Sequence, residues 1–108
     1  MTQESSERTR QLYDEVADGL AEAGVVKGSM FGMPCLKIGR KVIGGLWGDA
    51  MNFKLPPDAR ETALAMPGAE QFDPGMGRPM KEWVLVPVAQ ADAWPKLAEQ
   101  ALEFVRAG

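Results

Sequence analysis

The chain has 108 residues, 45% of them hydrophobic and 25% charged, with a formal net charge of −3, one cysteine and no histidine. Those values fit an ordinary globular protein and exclude intrinsic disorder, a disulfide scaffold and, with no apolar run near the ~18 residues of a membrane span, a transmembrane protein. Without histidine the commonest general base is missing, and one cysteine cannot assemble the usual zinc sites.

A chain of this length is expected to fold as a single domain over residues 1–108, burying roughly 65% of its unfolded surface. The lone thiol suits a reducing cytoplasm. The polar, acidic start Thr2-Gln3-Glu4-Ser5-Ser6-Glu7 gives no signal peptide. Charge is unevenly spread: residues 27–60 carry six bases against two acids, whereas the flanking segments are acidic. Charged flanks read as solvated helix faces.

A first helix is expected from Ser6 to Ala23. Leu12, Val16 and Leu20 recur every four residues beside Ala17 and Ala23, and Gly24 stops the helix. Asp14, Asp18 and Glu22 share its opposite, solvated face. Gly19 costs about 1 kcal/mol relative to alanine, and close packing on a sheet is the expected reason for it. Val25-Val26 begins a short strand running to Phe31.

The central stretch, Met30 to Leu55, is cut by Gly39-Arg40 and Gly48-Asp49, each between two apolar runs. Glycine in the first position of a two-residue loop supplies positive φ, so the stretch reads as a three-strand antiparallel meander. Those turns place Leu36 opposite Ile43, Trp47 opposite Ala50 and Gly45 opposite Asn52. Strand alternation then puts Cys35, Lys37, Val42, Gly44, Leu46, Met51, Phe53 and Leu55 on one face, against the helices. Leu36, Ile38, Lys41, Ile43, Gly45, Trp47, Asn52 and Lys54 fall on the other, a mixed apolar and basic face. Gly44-Gly45 marks a bulge or a close approach, expected from a packed helix.

Pro56-Pro57 opens a second helix that Pro67-Gly68 closes, and Ala69 to Phe72 reads as a brief strand. A turn-rich loop, residues 73–80, leads to the strand Trp83-Val84-Leu85-Val86. If Val84 and Val86 join the core, Lys81 and Trp83 share the mixed face. A last helix begins near Asp92 or Pro95, with Trp94, Leu97, Ala98, Ala101, Leu102 and Val105 on its apolar stripe.

These residues resemble the N-terminal domain of the TfoX/Sxy family of bacterial competence regulators. The matching pieces are the amphipathic first helix, Met30-Phe31-Gly32, Gly39-Arg40-Lys41, Gly48-Asp49, Asn52-Phe53-Lys54-Leu55, Gly77-Arg78-Pro79-Met80 and Val86-Pro87. Met33 stands where the family carries a second glycine. The YjbR-like group, often described as DNA-binding, has a similar pattern. The resemblance implies an α+β two-layer sandwich, its antiparallel sheet packed by helices in the order α, three to four β, α, one to two β, α. It also implies a bacterial cytoplasmic protein. Family members carry a further C-terminal domain, whereas this sequence ends after its third helix.

Cys35, expected on the apolar face, reads as a small hydrophobe rather than a nucleophile. The sequence therefore points to a non-enzymatic module with no cofactor and no metal. Its expected binding residues are Lys41, Trp47, Lys54, Arg78, Lys81 and Trp83, and its partner is another protein or a second copy of the chain. Nucleic acid on the basic meander and a small ligand under the 73–80 loop are the alternatives.

Overall fold

Ser6 opens helix α1 (Glu7–Leu20) in the computed structural model, which describes residues 5–30, 32–73 and 81–108. Its side-chain oxygen accepts from the Thr9 amide at 3.2 Å, satisfying one of the donors that a helix start strands. A short 3-10 turn (Ala21–Ala23) follows, and Gly24 ends it in the left-handed conformation at φ 97°. Tyr13, Val16, Ala17 and Leu20 form the buried stripe, while Ala23 stays exposed. The expected close packing at Gly19 is absent: a Cβ there would meet nothing within 4 Å.

Six strands follow in one antiparallel sheet: β1 (Val25–Met30), β2 (Met33–Ile38), β3 (Lys41–Leu46), β4 (Ala50–Lys54), β5 (Glu70–Gln71) and β6 (Trp83–Pro87), arranged β1-β2-β3-β4-β6-β5. Helix α2 (Pro57–Leu64) joins β4 to β5. A 3-10 segment (Val88–Ala93) leads from β6 into helix α3 (Trp94–Ala107). Helix, four strands, helix, two strands, helix is the expected order, and the architecture is the two-layer α+β one. Gly39 and Gly48 both sit at φ 61°, the positive region for which each turn needs its glycine.

The pairing of β2 with β3 departs from the expected register. Ile38 faces Lys41 and Lys37 faces Val42, but Leu36 faces Gly44 and Cys35 faces Gly45. Ile43 is therefore an extra residue, a β-bulge opposite the Leu36–Lys37 step. The extra residue shifts side-chain parity by one for everything on the β2 side of it. Leu36 and Ile43 are turned to the helices and are fully buried in the core, and Ile38 packs against it. Lys41, opposite Ile38, goes to the helix side with them. Cys35, Lys37 and Val42 move the other way. Beyond the bulge the expectation holds: Leu46, Met51, Phe53 and Leu55 are core residues, and Gly45 faces Asn52.

Gly44 shows why the bulge carries a glycine. A Cβ there would collide with the Asn52 carbonyl, and the Phe53 ring lies 3.3 Å from where it would sit. The close approach comes from the neighbouring strand rather than from a helix. At Gly45 a Cβ would stand 2.8 Å from the Pro34 carbonyl oxygen.

Helix α3 packs on the sheet through Trp94, Leu97, Ala98, Ala101, Leu102 and Val105. Trp94 is fully buried, and its indole N–H donates to the Val86 carbonyl at 3.2 Å, so burial of the ring strands no polar atom. The Tyr13 hydroxyl donates to the Cys35 carbonyl at 2.9 Å and ties α1 to β2. At the other end of α1, the β3–β4 turn acts as a clasp. Ser6 N–H and the Thr9 hydroxyl donate to the Asp49 carboxylate at 2.7 and 3.1 Å, and the Ser5 hydroxyl donates to the Gly48 carbonyl at 2.6 Å.

Gly44→Ala is expected to destabilise the fold by about 1–3 kcal/mol or more, read by urea denaturation, because the clash is with backbone. The Ser6 amide, followed by the Thr9 and Ser6 hydroxyls, holds the Asp49 carboxyl below the ordinary carboxylate range. A depressed folded value means that the clasp contributes fully above the unfolded value and is lost as pH falls through the folded one. Asp49→Ala should accordingly lower the melting temperature at neutral pH, and its deficit against wild type should shrink on acidification.

Candidate functional site

The sheet face turned away from the helices is built from the register. Across its middle run directly opposed residues, one per strand: Gly28, Cys35, Gly45, Asn52, Leu85 and Glu70. Strand alternation adds Lys54 and Trp83, which oppose one another, and Trp47, whose N–H donates to the Ala50 carbonyl at 3.0 Å. Phe72 follows β5, and its N–H donates to the Trp83 carbonyl at 2.9 Å.

Two of these residues reach toward each other. Trp47 stands at the Ala50 end of the sheet and Phe72 at the Lys54 end. Their rings meet edge-on at 5.2 Å between centroids and 79° between planes, an attractive arrangement for aromatic quadrupoles. The two strands between them, β4 and β6, carry Asn52 and Leu85 on this same face. Phe72 is fully buried, Trp83 is 8% exposed and Trp47 is half-buried.

The polar residue at the centre of this face is the unusual one. Asn52 is fully buried, and neither its Oδ1 nor its Nδ2 has a hydrogen-bond partner among the described residues. Gly45 and Leu85, its cross-strand neighbours, offer no polar side-chain atom. Each unmade bond of this kind costs about 1–3 kcal/mol.

Cys35 lies in the same row, two strands from Asn52, and is fully buried. Burial pushes its thiol up, while the Lys37 ammonium and the Gly28 amide act in the opposite sense. The Lys37 chain lies across Gly28, close enough that a Cβ on Gly28 would stand 2.9 Å from the Lys37 Cε. A buried thiol with a raised pKa is a weak nucleophile. Among the described residues no group of three His, Cys, Asp or Glu could hold a metal ion.

The six expected binding residues do not form one patch. Trp47, Trp83 and Lys54 share the sheet face. Lys81 is exposed just before β6, and its carbonyl accepts from the Gln71 side chain at 3.4 Å. Lys41 lies on the helix side, where its ammonium donates to the Gly108 carbonyl oxygen at 3.1 Å. A hollow of about 300 Å³ at that end brings Lys41 near Lys54, Glu82 and Phe104. Arg78 lies outside the described residues, as do Phe31 and most of the 73–80 loop. Sequence reasoning missed Phe72 as a site residue and placed Cys35 and Lys37 on the wrong face. It gave Asn52 the right face but no role. A signal for it was present: asparagine is depleted in strands, and this one, the only asparagine of the chain, sits mid-strand.

A separate groove of about 560 Å³ lies between α2 and α3, floored by Ala59, Phe104 and Ala107 and rimmed by Asp58, Glu99 and Glu103.

Comparison with protein-family models, with curated proteins and with solved structures finds no match.

If Cys35 is a packed thiol, a mild disulfide reagent should modify it only in step with unfolding, followed spectroscopically across a denaturant series. A rapid stoichiometric reaction in the folded protein would mark it as a nucleophile instead.

Proposed function

We infer that the chain is a non-enzymatic interaction module of the TfoX N-terminal kind, with a regulatory role in the bacterial cytoplasm. It engages a protein partner, or a second copy of itself, through the sheet face opposite the helices. The observation that carries this reading is the half-buried Trp47 set edge-on to Phe72 beside Trp83 and Lys54. Tryptophan at a partly open, aromatic-lined position is the residue type that most often dominates interface energetics. The Met-Phe-Gly, Gly-Arg-Lys and Gly-Arg-Pro-Met motifs support the family assignment, and a single buried thiol suits a reducing compartment.

Nucleic-acid binding by the basic meander fits less well. Its lysines are divided between two faces, and Lys41 is engaged with the C-terminal end of α3. A duplex or a single strand is tracked by a continuous cationic stripe, which this arrangement does not supply.

A Trp47→Ala/Lys54→Glu variant tests the reading. It should stay folded by circular dichroism, with a melting temperature lowered by loss of the Phe72 contact, and lose about 2 kcal/mol or more of partner binding, roughly thirtyfold in affinity. Binding is read by retention of partner proteins on immobilised protein, and self-association by sedimentation over a concentration series. Equal retention and equal sedimentation by variant and wild type would remove this surface from consideration.

A further inference from the structure

We propose that Asn52 is the floor of an amide-binding site on the outer sheet face, in which a carboxamide or a main-chain amide pair completes both hydrogen bonds that Asn52 lacks among the described residues. The inference rests on the sheet-face reading above and adds the chemistry of what is recognised there.

The argument begins from the cost. Asn52 occupies the centre of β4 in a row otherwise made of Gly28, Cys35, Gly45, Leu85 and, on the edge strand β5, Glu70. An aliphatic residue would fit this surroundings and strand no polar atom. The asparagine instead holds one carbonyl oxygen and one amino group, fully buried and unpartnered among the described residues. Native interiors rarely keep such groups without a role or a bound molecule.

The chemistry of the side chain narrows what completes it. Oδ1 needs a donor and Nδ2 needs an acceptor, side by side. A carboxylate or phosphate satisfies Nδ2 but sets its lone pairs against Oδ1. An ammonium or guanidinium does the reverse. A primary carboxamide satisfies both, and so do the N–H and C=O of one extended residue, which point to the same side of a strand. The Trp47 and Phe72 rings on the same face suit a flat neutral group, since aromatic faces and edges pack against amide planes with little desolvation cost. Asn52 is fully buried, so entry requires side chains of this face to move aside.

The chain contains a single asparagine, so isotope labelling of the asparagine side chain gives one NH₂ pair in a proton–nitrogen correlation spectrum. Three probes are titrated into the wild-type protein: benzamide, benzoate, and tetra-alanine capped with acetyl and N-methylamide groups, which offers only main-chain amides. Saturable movement of the Asn52 pair with benzamide alone identifies a small-carboxamide site. Movement with the capped peptide identifies main-chain recognition, as a protein partner would provide. Benzoate should leave the pair in place. In Asn52→Leu, binding of the active probe, followed by tryptophan emission, should weaken about tenfold or more, the equivalent of one hydrogen-bonded pair. The proposal is overturned if neither amide moves the pair, if benzoate moves it equally, or if Asn52→Leu binds as wild type does. Such a result leaves the sheet-face reading standing, because that reading falls only with the Trp47→Ala/Lys54→Glu comparison.

Discussion

One inserted residue decides which surface of this protein faces which way. Ile43 has no partner on β2, and the ladder resumes with Leu36 against Gly44. Without the insertion, Leu36 and Ile43 would lie on the outer face and Cys35 and Val42 would be pressed against the helices. With it, the two larger aliphatic side chains enter the core at no exposed area, and the smaller thiol goes to the outer row. The hydrophobic effect favours that exchange, since each buried Leu or Ile contributes about 1.5–3 kcal/mol relative to exposure. Glycine at the bulge is what makes it possible, because Gly44 lets the Asn52 carbonyl and the Phe53 ring close over the backbone.

The same feature marks the limit of what the sequence disclosed. Helix positions, the two glycine turns and the order of elements follow from apolar periodicity and turn chemistry, and they are present as expected. The register at Gly48-Asp49 also holds, so Leu46, Met51 and Phe53 face inward while Trp47 and Lys54 face outward. Errors begin at Ile43, expected on the outer face and found in the core. A bulge changes parity without changing composition, so Leu36, Ile38 and Lys41 were assigned to the wrong face by a rule correct for unbroken strands. The Gly44-Gly45 pair announces an irregularity but not its direction. Phe72 was hidden for a different reason: its contact with Trp47 spans two intervening strands, and nothing local encodes it.

The outer face joins two physical situations that seldom coincide. Its aromatic residues are covered or half-covered, as in a core. Its central polar residue, Asn52, is buried with no hydrogen-bond partner among the described residues, as cores seldom allow. Marginal stability makes such an arrangement expensive, because one or two kcal/mol is a large share of the total for a domain of this size. Lys54, opposite Trp83 and bordering the hollow near Phe104, links this face to the C-terminal end of α3. Charge at that end is thus shared between the outer face and the helix layer.

The clasp between the helix start and the β3–β4 turn joins residues 43 positions apart. Helix α1 has only 14 residues, about the length at which an isolated helix is marginal in water. On the ribosome it emerges before the sheet it packs on, and the carboxylate that anchors its opening turn is not synthesised until more than forty residues later. The helix must therefore wait for the β3–β4 turn to be made before its first turn can settle.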